Sequence, residues 1–320
     1  MTAKRREATR QLRVSAVIPT FNRREHVLRA VRSILSQSLP PDEILVVDDG
    51  STDGTAEALA AGFGKAVRVI RQQNAGVSSA RRRGIEAAQG DWIAFLDSDD
   101  EWTPERQAVL THAASGGSGV DWVFGDTEVV GEGPSLTLFD EFGLRLEAPL
   151  TRFDDPLSTQ FPFQFSLLQS SLIRRSCLID TGAFVEGLRS SEDFLVSFRA
   201  ALTYSFAAVP DVVTRLYRTP ELETSSLSAG WRGDPDYFRA RVAAFGEAAE
   251  LGRAGGWGRL HAQSVRGLCR ALADQGSASR KLSMAQFRHD RSPKAFAFAA
   301  AALLGPWGVR AWSGASGLRS

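Results

Sequence analysis

Asp97, Ser98, Asp99 and Asp100 follow directly on an apolar run, Trp92-Ile93-Ala94-Phe95-Leu96. A buried strand has to end in a turn, and one acidic residue there would be ordinary. Carboxylates this crowded repel one another unless a cation or a hydrogen-bond donor shares the site. A hard divalent cation suits such a cluster, above all when phosphate oxygens complete its shell. The pattern points to a place where a metal meets a phosphorylated substrate. Its structural alternative is a solvated acidic turn, with Asp100 or Thr103 capping a helix that Pro104 begins. A calcium loop is disfavoured, because the glycine and distal glutamate of the EF-hand spacing are absent.

Three further groups could carry chemistry. Val46-Val47-Asp48-Asp49-Gly50-Ser51-Thr52-Asp53-Gly54-Thr55 sets carboxylates at a strand end before a glycine turn. A carboxylate there can accept a hydrogen bond from a nucleobase imide or a ribose hydroxyl. Turn and cap chemistry accounts for Gly50, Gly54 and Asp53 but does not require Asp49, which is assigned to function. Asn74 to Arg83 puts Arg81, Arg82 and Arg83 in the first turns of a helix. A solvated basic face is the commoner meaning of such a run. At helical spacing only one of the three can point at a site, and Arg81 is the choice. Ser190-Ser191-Glu192-Asp193-Phe194 matches a capping box. A carboxylate at Asp193 could equally be a general base, and spacing leaves both roles open.

The elements that must position these residues alternate. Val14 to Ile18, Ile44 to Val47, Val67 to Ile70 and Trp92 to Leu96 read as strands. Between them, Val27, Ala30, Val31, Ile34 and Leu35 fall at helical spacing, Thr55 to about Ala61 forms a helix that Asp53 can cap, and Ser78 to Ala88 a third. Near-continuous apolar strands separated by helices imply an α/β fold with a mainly parallel sheet sandwiched by helices. Ligands bind such sheets at the carboxyl ends of the strands. Thr20, Asp48, Asp49 and Asp97 to Asp100 all follow strand ends and are expected on one rim. The region from about Ser115 to Tyr217 is less regular, with a strand at Val120 to Gly125, an edge strand or loop around Phe161, Phe163 and Phe165, and a helix from Ser190 to about Leu202. A polar linker, Thr224 to Ser228, precedes Ala-, Arg- and Leu-rich helices broken at Gly255-Gly256-Trp257-Gly258. The expected division is a basic tail over 1–13, a regular strand–helix half over 14–115, a less regular half of the same domain over 116–220 and a helical C-terminal extension over 221–320.

Composition sets the outer limits. The chain has 320 residues, 43% hydrophobic and 23% charged, which is the soluble globular class. A formal net charge of +1 gives no global field for nucleic acid. Cys177 and Cys269 form no Cys-x-x-Cys pattern, and His26, His112, His261 and His289 are scattered, which disfavours a disulfide framework and a zinc site. Met1 to Arg13 is basic without an apolar stretch, unlike a secretory signal. Ala295 to Val309 is apolar but broken by Gly305-Pro306, short of the roughly 20 residues a membrane span needs. Phe296, Phe298, Leu303, Leu304, Trp307 and Trp312, interleaved with Lys294 and Arg310, would suit an interfacial helix. An amphipathic helix covering the domain is the plainer expectation.

Taken in order, these groups resemble the inverting family-2 glycosyltransferases with the GT-A (nucleotide-diphospho-sugar transferase) fold. The likeness runs from about Ser15 to Arg218. Val17-Ile18-Pro19-Thr20-Phe21-Asn22 looks like that family's opening strand and turn, Asp48 to Thr55 its nucleotide-binding turn, and Leu96 to Asp100 its Asp-x-Asp motif. Ser170 to Arg175, Gly182-Ala183-Phe184 and Ser191-Glu192-Asp193 resemble its acceptor half. The resemblance implies that Thr20, Asn22, Asp49, Arg81, Asp97 and Ser98 bind the donor nucleotide sugar. It makes Asp99 the ligand of Mn²⁺ or Mg²⁺ and Asp193 the catalytic base. The implied partners are a nucleotide-sugar donor and a glycan, lipid-linked or protein acceptor, in cell-surface polysaccharide or glycoconjugate synthesis, with no nucleic acid. The implied location is cytoplasmic or peripheral at the inner face of the plasma membrane. The C-terminal helices could pack on the catalytic domain, form a homodimer or touch a membrane. Arg82 departs from the Asn frequent in the family at that position. Two other functions stay in view: a nucleotide-sugar-binding protein without turnover, and a nucleotidyltransferase. The latter usually needs a glycine-rich basic loop where this chain has Pro19-Thr20-Phe21-Asn22.

Overall fold

The computed structural model describes residues 12–116, 119–131, 135–161, 163–182, 184, 191–218, 235–253 and 256–274. Most of the basic tail, Ser190, the 224–228 linker, Gly255 and the Ala295–Val309 segment with its aromatic residues lie outside the described residues. The chain divides into two compact units, one of residues 1–186 with 196–223, the other of 187–195 with 224–320.

In the first unit the expected alternation holds: β1 (Val14–Thr20), α1 (Arg24–Leu35), β2 (Glu43–Asp48), α2 (Thr55–Phe63), β3 (Arg68–Arg71), α3 (Val77–Ala87) and β4 (Trp92–Phe95). β1 and β4 are buried along their whole length, as strands covered on both faces must be. α1 buries Val27, Ala30, Val31 and Ile34, the stripe that its spacing marks. The next elements are β5 (Glu101–Trp102), α4 (Arg106–Gly116), β6 (Trp122–Val130), β7 (Leu136–Thr137), α5 (Leu138–Phe142), β8 (Thr151–Arg152), β9 (Ser171–Arg174), α6 (Arg175–Asp180), α7 (Glu192–Thr203), of which the residues up to Leu195 belong to the second unit, and β10 (Phe206–Tyr217). Phe163 and Phe165 lie in a loop, and Phe163 stacks on Phe142 with ring centroids 4.3 Å apart.

All these strands join one sheet in the order β3-β2-β1-β4-β9-β6-β10-β5, with β7 beside β6 and β8 beside β10. β1, β2, β3 and β4 are mutually parallel, because helical crossovers connect them. β9 is antiparallel to both β4 and β6, which returns β6 to the direction of β4, and β10 runs parallel to β6. The carboxyl ends of β1, β2, β3, β4, β6 and β10 therefore share one rim.

β5 was not visible in the sequence, since a two-residue strand has no period to detect. It pairs antiparallel with β10, Trp102 opposite Thr214 and Glu101 opposite Arg215. This pairing corrects one expectation: α4 begins at Arg106, not Pro104, and the Asp100 carboxylate accepts from Tyr217 N of β10. The fully buried Arg106 lies over the Trp102 ring at 3.8 Å and donates to the Ser171 carbonyl at 2.6 Å, which ties α4 to the start of β9. Burial pushes its pKa down to about 9. Cys177 is buried, as expected of a small hydrophobe.

The helix that carries Arg81 is seated by a close approach. A Cβ added at Gly84 of α3 would lie 2.3 Å from Val17 Cγ1 of β1. Gly84→Ala should therefore destabilise the protein by about 1–3 kcal/mol through overpacking, more than the roughly 1 kcal/mol that alanine gains in helix propensity. A denaturation midpoint at or above that of the parent chain would contradict this packing.

In the second unit α8 (Pro235–Glu250) and α9 (Trp257–Asp274) pack together, with Gly246 against the ring of His261. Among the described residues no helix is long and apolar enough to cross a membrane.

Candidate active site

The sheet register brings the expected residues of the first unit to one rim. Thr20 lies opposite Asp48 at the ends of β1 and β2, and the ladder continues from Asp49 N to the Thr20 carbonyl at 2.9 Å. On the other side of β1, Leu96 N donates to the Val17 carbonyl at 3.1 Å, which delivers Asp97 to Asp100 to the same edge. Thr20 Oγ1 is buried and has no hydrogen-bond partner among the described residues, and Ser78 Oγ at the start of α3 shares that condition. A buried hydroxyl left so costs about 1–3 kcal/mol and is a natural contact for a bound ligand.

The paired aspartates after β2 divide their tasks. Asp48 is fully buried, accepts from Ser51 N at 2.8 Å and lies 3.2 Å from Arg71 Nε, so it builds the turn. Asp49 faces the loop before α3. Its Oδ1 accepts from Gln72 Nε2 at 2.7 Å and Ala75 N at 2.9 Å, and its Oδ2 from Gly76 N at 2.8 Å. A carboxylate offers about four acceptor sites, so one remains on Oδ2 for a ligand. Asn22 has a positive φ of 49°. Its Oδ1 accepts from Thr52 N at 2.8 Å, and its own N–H donates to Ser51 Oγ at 2.9 Å, so it stitches the first turn to the second. Gly54, at φ 80°, occupies the cap position of α2. Asp53 accepts from Thr55 N and from Arg24 N, each at 3.1 Å, joining the first turns of α2 and α1.

At the acidic turn the chain supplies its own counter-charges. Arg81 Nη2 donates to Asp97 Oδ1 at 2.7 Å, and the Phe184 ring lies 5.6 Å from the Arg81 guanidinium. Arg23 Nη1 pairs with Asp99 Oδ2. Arg29 donates to the Asp99 carbonyl, pairs with Glu101 at 2.8 Å and lies 4.3 Å over the Tyr217 ring. Ser98 is buried between the two carboxylates. Sequence reasoning missed Arg23 and Arg29. The available signal was the position of Arg23, directly after the Thr20–Asn22 turn at the start of α1.

Asp100 corrects an expectation. The structural alternative makes it part of a solvated turn or a helix cap, yet it is buried and its Oδ1 accepts from Tyr217 N at 3.2 Å, fastening β10 to the rim. Burial, and then the Asp97 and Asp99 charges, hold its carboxyl well above the usual range, against the Tyr217 N–H and Arg29.

Among the described residues no three His, Cys, Asp or Glu side chains could by themselves hold a metal. Mg²⁺ and Mn²⁺ do not require that, since one or two carboxylates plus substrate phosphates complete their shell. Asp99 fits this partial role: its side chain is 19% exposed, and its Oδ1 makes no hydrogen bond among the described residues.

Asp193 belongs to the second unit, in the first turn of α7. Its Oδ1 accepts from Phe194 N at 2.7 Å. Ser191, which opens this turn, has a positive φ of 58°, a conformation that costs a non-glycine residue about 1–3 kcal/mol and persists where its surroundings enforce it.

Known proteins bear on this arrangement. The succinoglycan biosynthesis protein ExoO of Rhizobium meliloti is 31% identical over 213 residues, 65% of this chain and 61% of that one. The uncharacterized glycosyltransferase YibD of Escherichia coli is 36% identical over 124 residues, 36% of each chain. The match thus spans less than two thirds of either relative. The crystal structure of S. aureus TarS 1-349 in complex with UDP-GlcNAc superposes with a TM-score of 0.63 at 18% identity, covering 96% of this chain and 92% of that one. That likeness is one of fold, and the fold is the expected GT-A architecture. The profile of glycosyl transferase family 2 matches residues 15–175. On that match, half of its length, the chain belongs to glycosyl transferase family 2.

Proposed function

We propose that this chain is a metal-dependent, inverting glycosyltransferase that moves a sugar from a nucleoside diphosphate to an acceptor hydroxyl. One observation carries the reading: Thr20, Asp49 and the Asp97–Asp99 turn stand at the ends of three adjacent strands, β2, β1 and β4, in a family-2 domain. The buried Thr20 hydroxyl and the remaining acceptor site of Asp49 suit the edge of a nucleobase. Arg81, beside Asp97, suits the ribose and the phosphates. Asp99 would hold Mn²⁺ or Mg²⁺, which when bound neutralises the charge on a departing diphosphate. Asp193 takes the proton of the acceptor hydroxyl, which attacks the anomeric carbon from the face opposite the diphosphate and inverts it. No second carboxylate is needed as general acid, unlike in glycoside hydrolysis. The fold shared with a UDP-GlcNAc complex supports a uridine donor. The likeness to a succinoglycan biosynthesis protein supports a cell-surface polysaccharide as product.

A thermal-shift series of nucleoside diphosphates and nucleotide sugars, with and without Mn²⁺, tests this directly. A ligand at 100 times its Kd adds about 2.7 kcal/mol of stability, so UDP with Mn²⁺ should raise Tm by several degrees and UDP with chelator by less. A flat response to every nucleotide would sink the donor assignment. Release of pyrophosphate instead of nucleoside diphosphate would favour a nucleotidyltransferase.

A further inference from the structure

The helices of residues 235–274 matched no motif, and the sequence left their task open. Within the second unit the first of them packs on Phe194, in the turn that carries Asp193. Tyr237, Arg241 and Phe245 fall at i, i+4 and i+8 on α8, which is one stripe of a helix. Phe194, the residue after Asp193, is received by that stripe. The Arg241 guanidinium lies 4.2 Å over the Phe194 ring and 3.6 Å over the Tyr237 ring. The Phe245 ring meets Phe194 edge-on at 6.1 Å, and Trp257 of α9 packs behind Phe245 at 5.7 Å. Phe194 is 3% exposed, so the residue beside the carboxylate is held within this packing.

We infer that the helical extension is part of the catalytic apparatus: Arg241, clamped between Tyr237 and Phe194, is a positioning residue for Asp193. Three observations support this. Ser191 holds a left-handed backbone immediately before α7, and such strain persists only where packing over-determines it. A guanidinium lying over two aromatic rings is a cation–π arrangement, with planar geometry that lysine does not reproduce. Arg241 is also electrostatically coupled to Asp193: burial lowers its pKa, and Tyr237 and Asp193 oppose that. The guanidinium thus braces Phe194 and, through it, the turn that carries Asp193.

The inference rests on Asp193 being the base, and the two ideas can be tested apart. Arg241→Ala removes the guanidinium and leaves a slot between two rings, and Arg241→Lys keeps the charge and the fold. With UDP release as the assay, Arg241→Ala should lower kcat about tenfold or more with donor KM and calorimetric UDP affinity unchanged. Added guanidinium at millimolar concentration should restore part of the kcat of the alanine variant and none of that of Asp193→Asn. Arg241→Lys should recover less than half of the loss, since the ammonium cannot stack. Parent-like kcat in both Arg241 variants, with Asp193→Asn inactive, would overturn the positioning role and leave the base intact. Full activity in Asp193→Asn would remove the base itself. If Arg241→Ala loses the cooperative melt, the lysine variant alone decides: parent-like kcat overturns the inference, and a reduced kcat with unchanged UDP affinity supports it.

Discussion

Asp193→Asn is expected to lower kcat by about 10²–10⁴-fold, the usual contribution of a positioned general base, with donor affinity and Tm near the parent values. The substitution is nearly isosteric. An asparagine Oδ1 can still accept the Phe194 N–H that Asp193 Oδ1 accepts at 2.7 Å, so the turn should survive. What disappears is the capacity to hold a proton during attack by the acceptor hydroxyl. An amide has no basic site near neutral pH, so the loss should fall on kcat and not on donor KM. Single-turnover transfer with saturating donor is the decisive measurement. A parent-like rate would return Asp193 to the capping role that its sequence context equally allows.

Asp99→Asn should reduce transfer by about 10³-fold and abolish its response to Mn²⁺. A metal at a departing diphosphate supplies several kcal/mol of charge stabilisation, and each 1.4 kcal/mol is tenfold in rate. The structure adds a second consequence. Asp99 is paired with Arg23, so a divalent cation must share or displace that guanidinium. Calorimetric titration of Mn²⁺ reads this without reference to turnover: binding should be lost in Asp99→Asn. Full activity of the parent chain in excess chelator, or unchanged Mn²⁺ binding by the variant, would remove the metal from Asp99.

Much of this site was legible before any coordinates. The apolar runs at Val14, Ile44 and Trp92 mark strands, and a carboxylate at the end of a parallel strand has only one rim to occupy. Asp49 was separable from Asp53 because turn chemistry needs the second and not the first. The short strand Glu101–Trp102 was not legible, and its absence misdirected Asp100 to a helix cap. The assignment of Asp48 to the turn could not be made either, since adjacent aspartates look alike until Ser51 and Arg71 are seen to engage one of them.

The sequence by itself determined the alternation of strands and helices, the family, and the residues that stand at the strand ends. These depend on local periodicity and short motifs, which neighbours along the chain fix. The tertiary structure alone decided which cation meets which carboxylate. Arg23 and Asp99 are 76 residues apart in sequence, and Arg81 and Asp97 are 16 apart. Both pairs depend on β4 lying beside β1, with α1 and α3 carried to that edge. It also decided that Asp193 shares a compact unit with α8, a helix more than forty residues further on. Strand order and long-range packing are consequences of closing a whole core, and no window of local sequence contains them.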